Sequence, residues 1–516
     1  MKEDLQSPFP GSGEPPAGPL GGAEPESSGS IPELDSLLSA EPHGPADGSS
    51  RPPKPSGPTG HPVIAWCVVL LLVALIIGAS SLRPEKPASD VDSAAMVILE
   101  IQSKYLIGAA DAFDMPGQMA LQQAEVFDNG PVRNRLCFVT LSGELGGPDV
   151  ALERLRTLFE PTGNVARQTL SETDRLLERN LSLLYEDFAA GRWKAPSLNA
   201  QQRQQLRREL HWFGQLALAP RQADSPERSR LVAQSRRVVM VVLAAAILAM
   251  GMGVVGLVGL PTMCVLVVMR VVKPRLQRSP HGGLYAETFA VWMLMFLAVG
   301  FVIELLAEDQ LSLNMIGFVI SGSAVAWPVL RGVRWRDVRR QVGLYGGRQW
   351  YLEPVCGLIC YVCTLPLLAL GLLFVLLAMQ AGGMPLAADL SSSDLPTHPI
   401  IEWVQNAGPW GRAQILLLAC CAAPILEETM FRGVLYRHLR DATAGWKLGL
   451  SVAISVGVNS LVFAAIHPQG LLAIPALAAL AGGFSLAREW RGSLIAPMTA
   501  HAVNNLLVTS VLLLIV

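Results

Sequence analysis

Apolar residues follow two rhythms along this chain. In the second half they form unbroken stretches long enough to cross about 30 Å of hydrocarbon, for which roughly 20 residues of helix suffice. With an earlier stretch, Val63–Ser81, they are Val238–Val272, Ala286–Leu306, Leu311–Leu330, Pro354–Met379, Ile415–Leu435, Leu448–Ile466, Leu471–Leu486 and Leu494–Val516. Together they predict about nine spans. Val238–Val272 exceeds one span, and its Gly251, Gly253, Gly256, Gly259 and Pro261 fit either a tilted, kinked helix or a closely packed pair. Val63 starts too far from Met1 for an ordinary signal peptide, so the first run reads as an uncleaved anchor helix.

The second rhythm lies between the first two runs. Asp90–Phe113, Asp149–Phe159, Ser171–Ala190 and Leu198–Leu218 carry apolar residues at helix period with polar gaps, which predicts a helical domain outside the bilayer. Ser171-Glu-Thr-Asp offers a capping start and Gly191 a stop. Ahead of the anchor, residues 1–60 are rich in Pro, Gly, Ser and acidic side chains, and bury too little to offset the entropy of ordering. The predicted organisation is a disordered tail (1–60), an anchor helix (61–83), a helical extramembrane insert (84–236), transmembrane helices (237–409) and a catalytic transmembrane core (410–516). The fold class is all-α, a polytopic bundle.

Composition agrees. The chain is 51% hydrophobic and 16% charged, against about a quarter charged in ordinary soluble proteins. The net charge of −2 says nothing about nucleic acid, but no basic stripe with interleaved aromatics is visible, so no nucleic-acid partner is expected. Of 8 Cys, only Cys137 sits in clearly polar sequence, so no disulfide framework is expected. Cys356, Cys360 and Cys363 share one helix face and read as packing residues rather than metal ligands.

Charge also predicts orientation. The loop carrying Arg331, Arg334, Arg336, Arg339, Arg340 and Arg348 belongs in the cytoplasm, with Lys273, Arg275 and Arg278, and Arg437, Arg440 and Lys447, on the same side. The connections with Glu308 and Asp309, and with Asp389 and Asp394, fall opposite. A single span at Val238–Val272 then places the tail in the cytoplasm and the insert outside. Two spans there would move the insert to the cytoplasm.

Chemistry concentrates near the C-terminus. Ionisable groups at membrane depth are costly and rare unless they pair or react. Glu427, Glu428 and Arg432 are followed by Phe463 and His467, then by His501 and Asn505. Two carboxylates, two imidazoles, a guanidinium and an amide form the inventory for activating a water and stabilising an oxyanion. Glu428 and Arg432 are one helical turn apart, acid first, as pairing prefers. Glu427 is rotated by about 100°, so it is expected to face a cavity as general base. Taken alone, the doublet reads equally as solvated helix-end charge beside Arg437 and Arg440. Phe463–His467 and His501–Asn505 repeat the one-turn spacing, and Asn504, rotated away, is expected to pack. Three polar one-turn pairs on successive spans are hard to explain as accidents.

Glu-Glu-x-x-x-Arg, Phe-x-x-x-His and His-x-x-x-Asn, in this order, resemble the CPBP family of intramembrane proteases. That family includes the type II CAAX prenyl endopeptidases of the Ras-converting type and bacterial Abi or bacteriocin-immunity proteins. Ser493-Leu494 ahead of Ala500-His501 also suits it. The resemblance covers Trp410–Val516, extends back toward Ala286, and leaves residues 1–235 outside. It implies that Glu427 and His467 activate the attacking water, that His501 and Asn505 hold the oxyanion, and that Glu428 and Arg432 support the site. It further implies a peptide or protein substrate entering from the bilayer, cleaved near its C-terminus, and a home in the inner membrane of a bacterium. The family is usually called metalloprotease, and Glu427, His467 and His501 are the set that would hold Zn²⁺. No His-Glu-x-x-His signature supports zinc independently, and a metal-free, glutamate-activated water is favoured.

Competing readings leave more unexplained. A rhomboid-like Ser–His pair has only Gly483-Phe-Ser485 with His501 and ignores Glu427 and Arg432. A presenilin-like protease needs paired Asp, which the late spans lack. A proton-coupled transporter would use buried Glu and His as relays but predicts inverted repeats, and none is visible. A non-catalytic scaffold or immunity-type protein would use the insert and tail to recruit partners of unknown kind.

Overall fold

The computed structural model describes residues 59–81, 88–128, 131–159, 171–276, 278–306, 310–347, 349–381 and 400–516. The tail predicted to be disordered lies outside them up to residue 58, as do Glu308, Asp309, Arg348, Asp389 and Asp394. The described residues form helices without strands. Nine of their helical runs are long and apolar enough to cross a membrane. The protein is an integral membrane protein.

After the anchor, α1 (Pro62–Ser81), the chain builds an outer helical domain. Its helices are α2 (Ala88–Ala112), α3 (Gly117–Ala124), α4 (Val132–Gly146), α5 (Pro148–Phe159), α6 (Glu172–Ala189), α7 (Ala200–Glu209) and α8 (His211–Leu218). They share one apolar core that includes Leu136, Phe138, Leu141, Leu181, Leu184, Leu206 and Phe213. Sequence periodicity missed α4 because it is the central helix. Residues 136–142 are all buried, so it shows no polar face to set a period. The single helix expected over Leu198–Leu218 is broken at Leu210. His211 has φ 48°, and a Cβ at Gly214 would run into the Leu206 carbonyl, so the chain folds back tightly there. Ser171 caps α6 as its sequence indicates, accepting from the Asp174 amide at 3.1 Å.

After α6, Asp187 pins the connection to α7. Its carboxylate accepts from the Ser197 amide (2.5 Å), the Ser197 hydroxyl (2.6 Å) and Arg192 Nε (2.9 Å). Chiefly the Ser197 hydrogen bonds lower its pKa to about 2. A carboxyl with a lowered folded pKa stabilises the fold above its unfolded value near 3.9, and that contribution is lost as pH falls through the window from about 4 to 2. Asp187→Asn should therefore lower the melting temperature by roughly 5 °C at pH 7 and by much less at pH 2–3. Scanning calorimetry at both values checks this, and an equal loss at both would exclude a charge-dependent role.

The long run at Val238–Val272 resolves as one 43-residue helix, α9 (Pro226–Val268). At 1.5 Å per residue it is about 64 Å long, roughly twice the hydrocarbon thickness. Its first turns belong to the outer domain, where Leu231 joins the core. Farther on, its glycines serve close approach rather than a break. Gly256 lies against the Val362 carbonyl and Pro366 of α14 (Glu353–Ala381), and Gly259 against Cys363. Between α9 and α14 come α10 (Gly282–Leu306), α11 (Gln310–Gly322), α12 (Trp327–Leu330) and α13 (Trp335–Val342).

The basic loops gather at one end. The Arg275 amide donates to the Glu489 carbonyl (2.8 Å), Arg278 donates to the Ala444 carbonyl, and Arg488 donates to the carbonyls of Gln341 and Val342. The start of α1 is there too, with the His61 amide on Glu287 (2.6 Å) and Trp66 Nε1 on His438 Nε2 (2.9 Å). The helical domain of α2–α8 lies where α9 begins, and α9 runs from there toward these loops.

Candidate active site

Four helical runs carry the site. They follow α15 (Ile400–Asn406) and are α16 (Pro409–Ala442), α17 (Leu448–Ala465), α18 (Ile474–Arg491) and α19 (Ile495–Ile515). Within α16, π-helical turns at Leu418–Ala422 and Thr429–Leu435 flank the Glu427-Glu428 doublet. Such turns are frequent at functional sites and alter which backbone groups remain unpaired. The Ala419 carbonyl accepts from Asn505 Nδ2 at 2.8 Å, which ties α19 to the first π turn. Apolar spacing gives no sign of either turn.

Glu428 is fully buried, and its Oε1 accepts from Arg432 Nη1 and from His501 Nδ1, each at 2.9 Å. Arg432 is also fully buried. Its Nη2 donates to the Ala481 carbonyl at 3.0 Å. Phe463, Phe484 and Phe431 surround its guanidinium at 4.7, 5.3 and 5.9 Å from their ring centres. The cation is thus held by one carboxylate, one carbonyl and three aromatic rings, a set that compensates burial far better than a lone ion pair.

Glu427 points elsewhere. Its side chain is 19% exposed, and Oε2 stands 3.8 Å from Nε2 of both His467 and His501 without a hydrogen-bond partner among the described residues. His467 Nδ1 is 2.6 Å from the Phe463 carbonyl, which can only accept, so Nδ1 carries a proton and Nε2 faces Glu427. The Phe463 ring lies 4.1 Å from that of His467, and Phe484 stacks on His501 at 5.3 Å. Glu427, Glu428, Arg432, Phe463, His467 and His501 therefore meet around one point, with Asn505 one turn farther along α19.

Several details depart from the sequence reading. Asn504, expected to pack, donates to Asn505 Oδ1 at 3.1 Å and orients that amide. Ser485 is no nucleophile for His501. Its buried hydroxyl donates to the Ala481 carbonyl (2.9 Å) and accepts from Asn459 Nδ2 (3.0 Å), while Phe484 takes the place beside His501. Phe484 itself and Arg488 escaped the sequence. Arg488, which the sequence reading did not single out, is fully buried. It donates to the carbonyls of Arg432 (3.3 Å), Gln341 (3.0 Å), Val342 (2.9 Å) and Gly492, joining the C-terminal ends of α13 and α18 to α16. Carbonyls at helix ends favour a cation.

As placed, the three residues that would hold zinc stand somewhat wider apart than a bound ion would set them. Ligands bound at about 2.0–2.1 Å in a tetrahedron lie roughly 3.4 Å apart, whereas Glu427 Oε2 is 3.8 Å from both imidazole nitrogens. Among the described residues no group of three His, Cys, Asp or Glu is arranged for a metal.

Residues 409–507 match the family described as type II CAAX prenyl endopeptidase Rce1-like. The matched segment holds every residue of the site, and it supports a CPBP-family protease of the CAAX-processing type. No curated protein and no solved structure matches the chain.

Proposed function

We propose that the protein is an intramembrane endopeptidase that hydrolyses a peptide bond near the C-terminus of a membrane-associated, CAAX-like substrate. The observation that carries this reading is the orphaned Glu427 carboxylate oxygen, 3.8 Å from two imidazole nitrogens. That spacing suits one water, donating to Glu427 and to His467 Nε2.

In the proposed step the water oxygen attacks the scissile carbonyl carbon as its proton passes to Glu427. The carbonyl π electrons move to oxygen. That oxyanion takes hydrogen bonds from His501 Nε2–H and from the second amide hydrogen of Asn505. For His501 to donate from Nε2 it must carry protons on both nitrogens, and Glu428 on Nδ1 is its counter-charge. Two carboxylates then balance one guanidinium and one imidazolium, so the buried cluster is neutral. On collapse the C–N bond breaks and Glu427 returns the proton to the departing amine. No step requires a metal.

The clustered basic loops favour a cytoplasmic N-terminus in a bacterial inner membrane, with the outer domain on the far side, where its partner is unidentified. Comparing the termini of membrane proteins with and without the gene identifies the substrate. The reaction itself is tested with the full chain in lipid vesicles, using farnesylated and unmodified peptides that share one C-terminal sequence. Cleavage is expected, faster for the lipidated peptide, with the rate unchanged by 1,10-phenanthroline. Inhibition by the chelator that zinc reverses would overturn the metal-free step, and failure to cleave any membrane-anchored peptide would overturn the protease reading.

A further inference from the structure

One oxyanion donor of the proposed reaction is a side-chain amide, and an amide can be turned end for end. With its two arms exchanged, Asn505 would aim a lone pair at the developing negative charge instead of an N–H, at almost the same shape. Catalysis therefore needs the Asn505 amide held one way round.

Two neighbours hold it. Ala419, in the π turn at Leu418–Ala422, presents a backbone carbonyl that can only accept, and Asn505 Nδ2 donates to it at 2.8 Å. That fixes Oδ1 on the other arm, where Asn504 Nδ2 donates to it at 3.1 Å. A reversed Asn505 would set its oxygen against the Ala419 oxygen and its nitrogen against the Asn504 nitrogen, so both contacts oppose the reversal. Asn504 and Asn505 are half-buried in α19, in the apolar run Leu494–Val516, where water competes little for the bond between them. An amide at such a position is costly unless it is bonded, and this one spends a hydrogen on one particular atom of the site.

The same bond bears on strength. Nδ2 of Asn505 carries two hydrogens, of which one goes to Ala419 and one remains for the substrate. A hydrogen bond accepted at Oδ1 draws electron density toward that oxygen and leaves the N–H groups more positive. Chains of this kind strengthen each link by roughly 10–30%. On the protease reading, we infer that Asn504 is a positioning residue, which orients and polarises the Asn505 amide without meeting the substrate. Its effect grows with the charge on the substrate oxygen, so it acts on the transition state rather than on binding.

Steady-state cleavage of a membrane-anchored peptide by the full chain in vesicles tests it. Asn504→Leu should lower kcat about tenfold, a part of the ~10²–10³-fold loss that follows removal of a whole oxyanion donor, with KM and the melting curve unchanged. Asn504→Ala, which removes the donor without adding bulk, should lose as much. The deciding measurement pairs the change with Asn505→Ala. With no amide left to hold, adding Asn504→Leu should cost nothing further, whereas a packing role would add its own loss in either background. Wild-type kcat in Asn504→Leu, or the same fold-loss with and without Asn505, would overturn the inference and leave the protease standing. If the wild-type chain cleaves no peptide, the protease reading fails and the inference with it.

Discussion

Glu427→Gln should reduce peptide cleavage by about 10²–10⁴-fold, the range expected when a positioned general base is lost, while the protein folds and melts as before. The side chains are nearly equal in size, and Glu427 Oε2 has no hydrogen-bond partner to lose among the described residues. Its two imidazole neighbours stand at 3.8 Å, beyond direct bonding, so the change deprives a water of its acceptor more than it disturbs the packing. The loss should fall on kcat, since Glu427 acts on the water rather than on the substrate's apolar body. His467→Ala should follow the same pattern, with a smaller loss if Glu427 alone can still take the proton. The measurement is cleavage of a membrane-anchored peptide in vesicles, beside a melting curve of the same preparation. Wild-type cleavage by Glu427→Gln would remove that residue from the chemistry and return the site to the transporter or scaffold readings.

The spans and the meeting of the six site residues were legible because each rests on a strong local signal. Unbroken apolar runs fix membrane helices by length, and one-turn spacing places Glu428 with Arg432, Phe463 with His467 and His501 with Asn505 on shared faces. What stayed hidden has no such period. Helix α4 is buried on every side, so its polar positions Asn134, Thr140 and Ser142 carry no phase. The π turns beside Glu427 change backbone pairing without changing composition, and they decide that Asn505 reaches the Ala419 carbonyl. Arg488 gave no signal because its long-range partners, the carbonyls of Arg432, Gln341 and Val342, are backbone groups of other helices rather than an acidic residue nearby in sequence. Long-range satisfaction of a buried cation by carbonyls leaves no trace in the residues that provide them.

The two adjacent carboxylates should respond in opposite ways to removal, because only one of them is structurally paired. Glu428, Arg432 and His501 are joined through Glu428 Oε1, while Glu428 Oε2 and Arg432 Nε have no hydrogen-bond partner among the described residues. One carboxylate oxygen serves both cations, and the guanidinium spends its other arm on the Ala481 carbonyl among three phenylalanine rings. Arg432→Leu leaves Glu428 charged and buried with His501 alone, and breaking a buried pair in this way typically costs about 3–5 kcal/mol. Arg432→Lys rescues little, because one ammonium on a flexible stem cannot span Glu428 and Ala481 while stacking on Phe463. Glu428→Gln keeps an acceptor for Arg432 and removes its charge, so its loss in melting temperature should be smaller than that of Arg432→Leu but still clear. Glu427→Gln removes a carboxylate that accepts no hydrogen bond among the described residues and whose imidazole neighbours stand 3.8 Å away, so it should melt close to wild type. Thermal unfolding of the four variants in one detergent, ranked beside their cleavage rates, separates a structural from a chemical role for each Glu. If Glu427→Gln were the variant that unfolds early and Glu428→Gln melted normally, the two roles would be reversed.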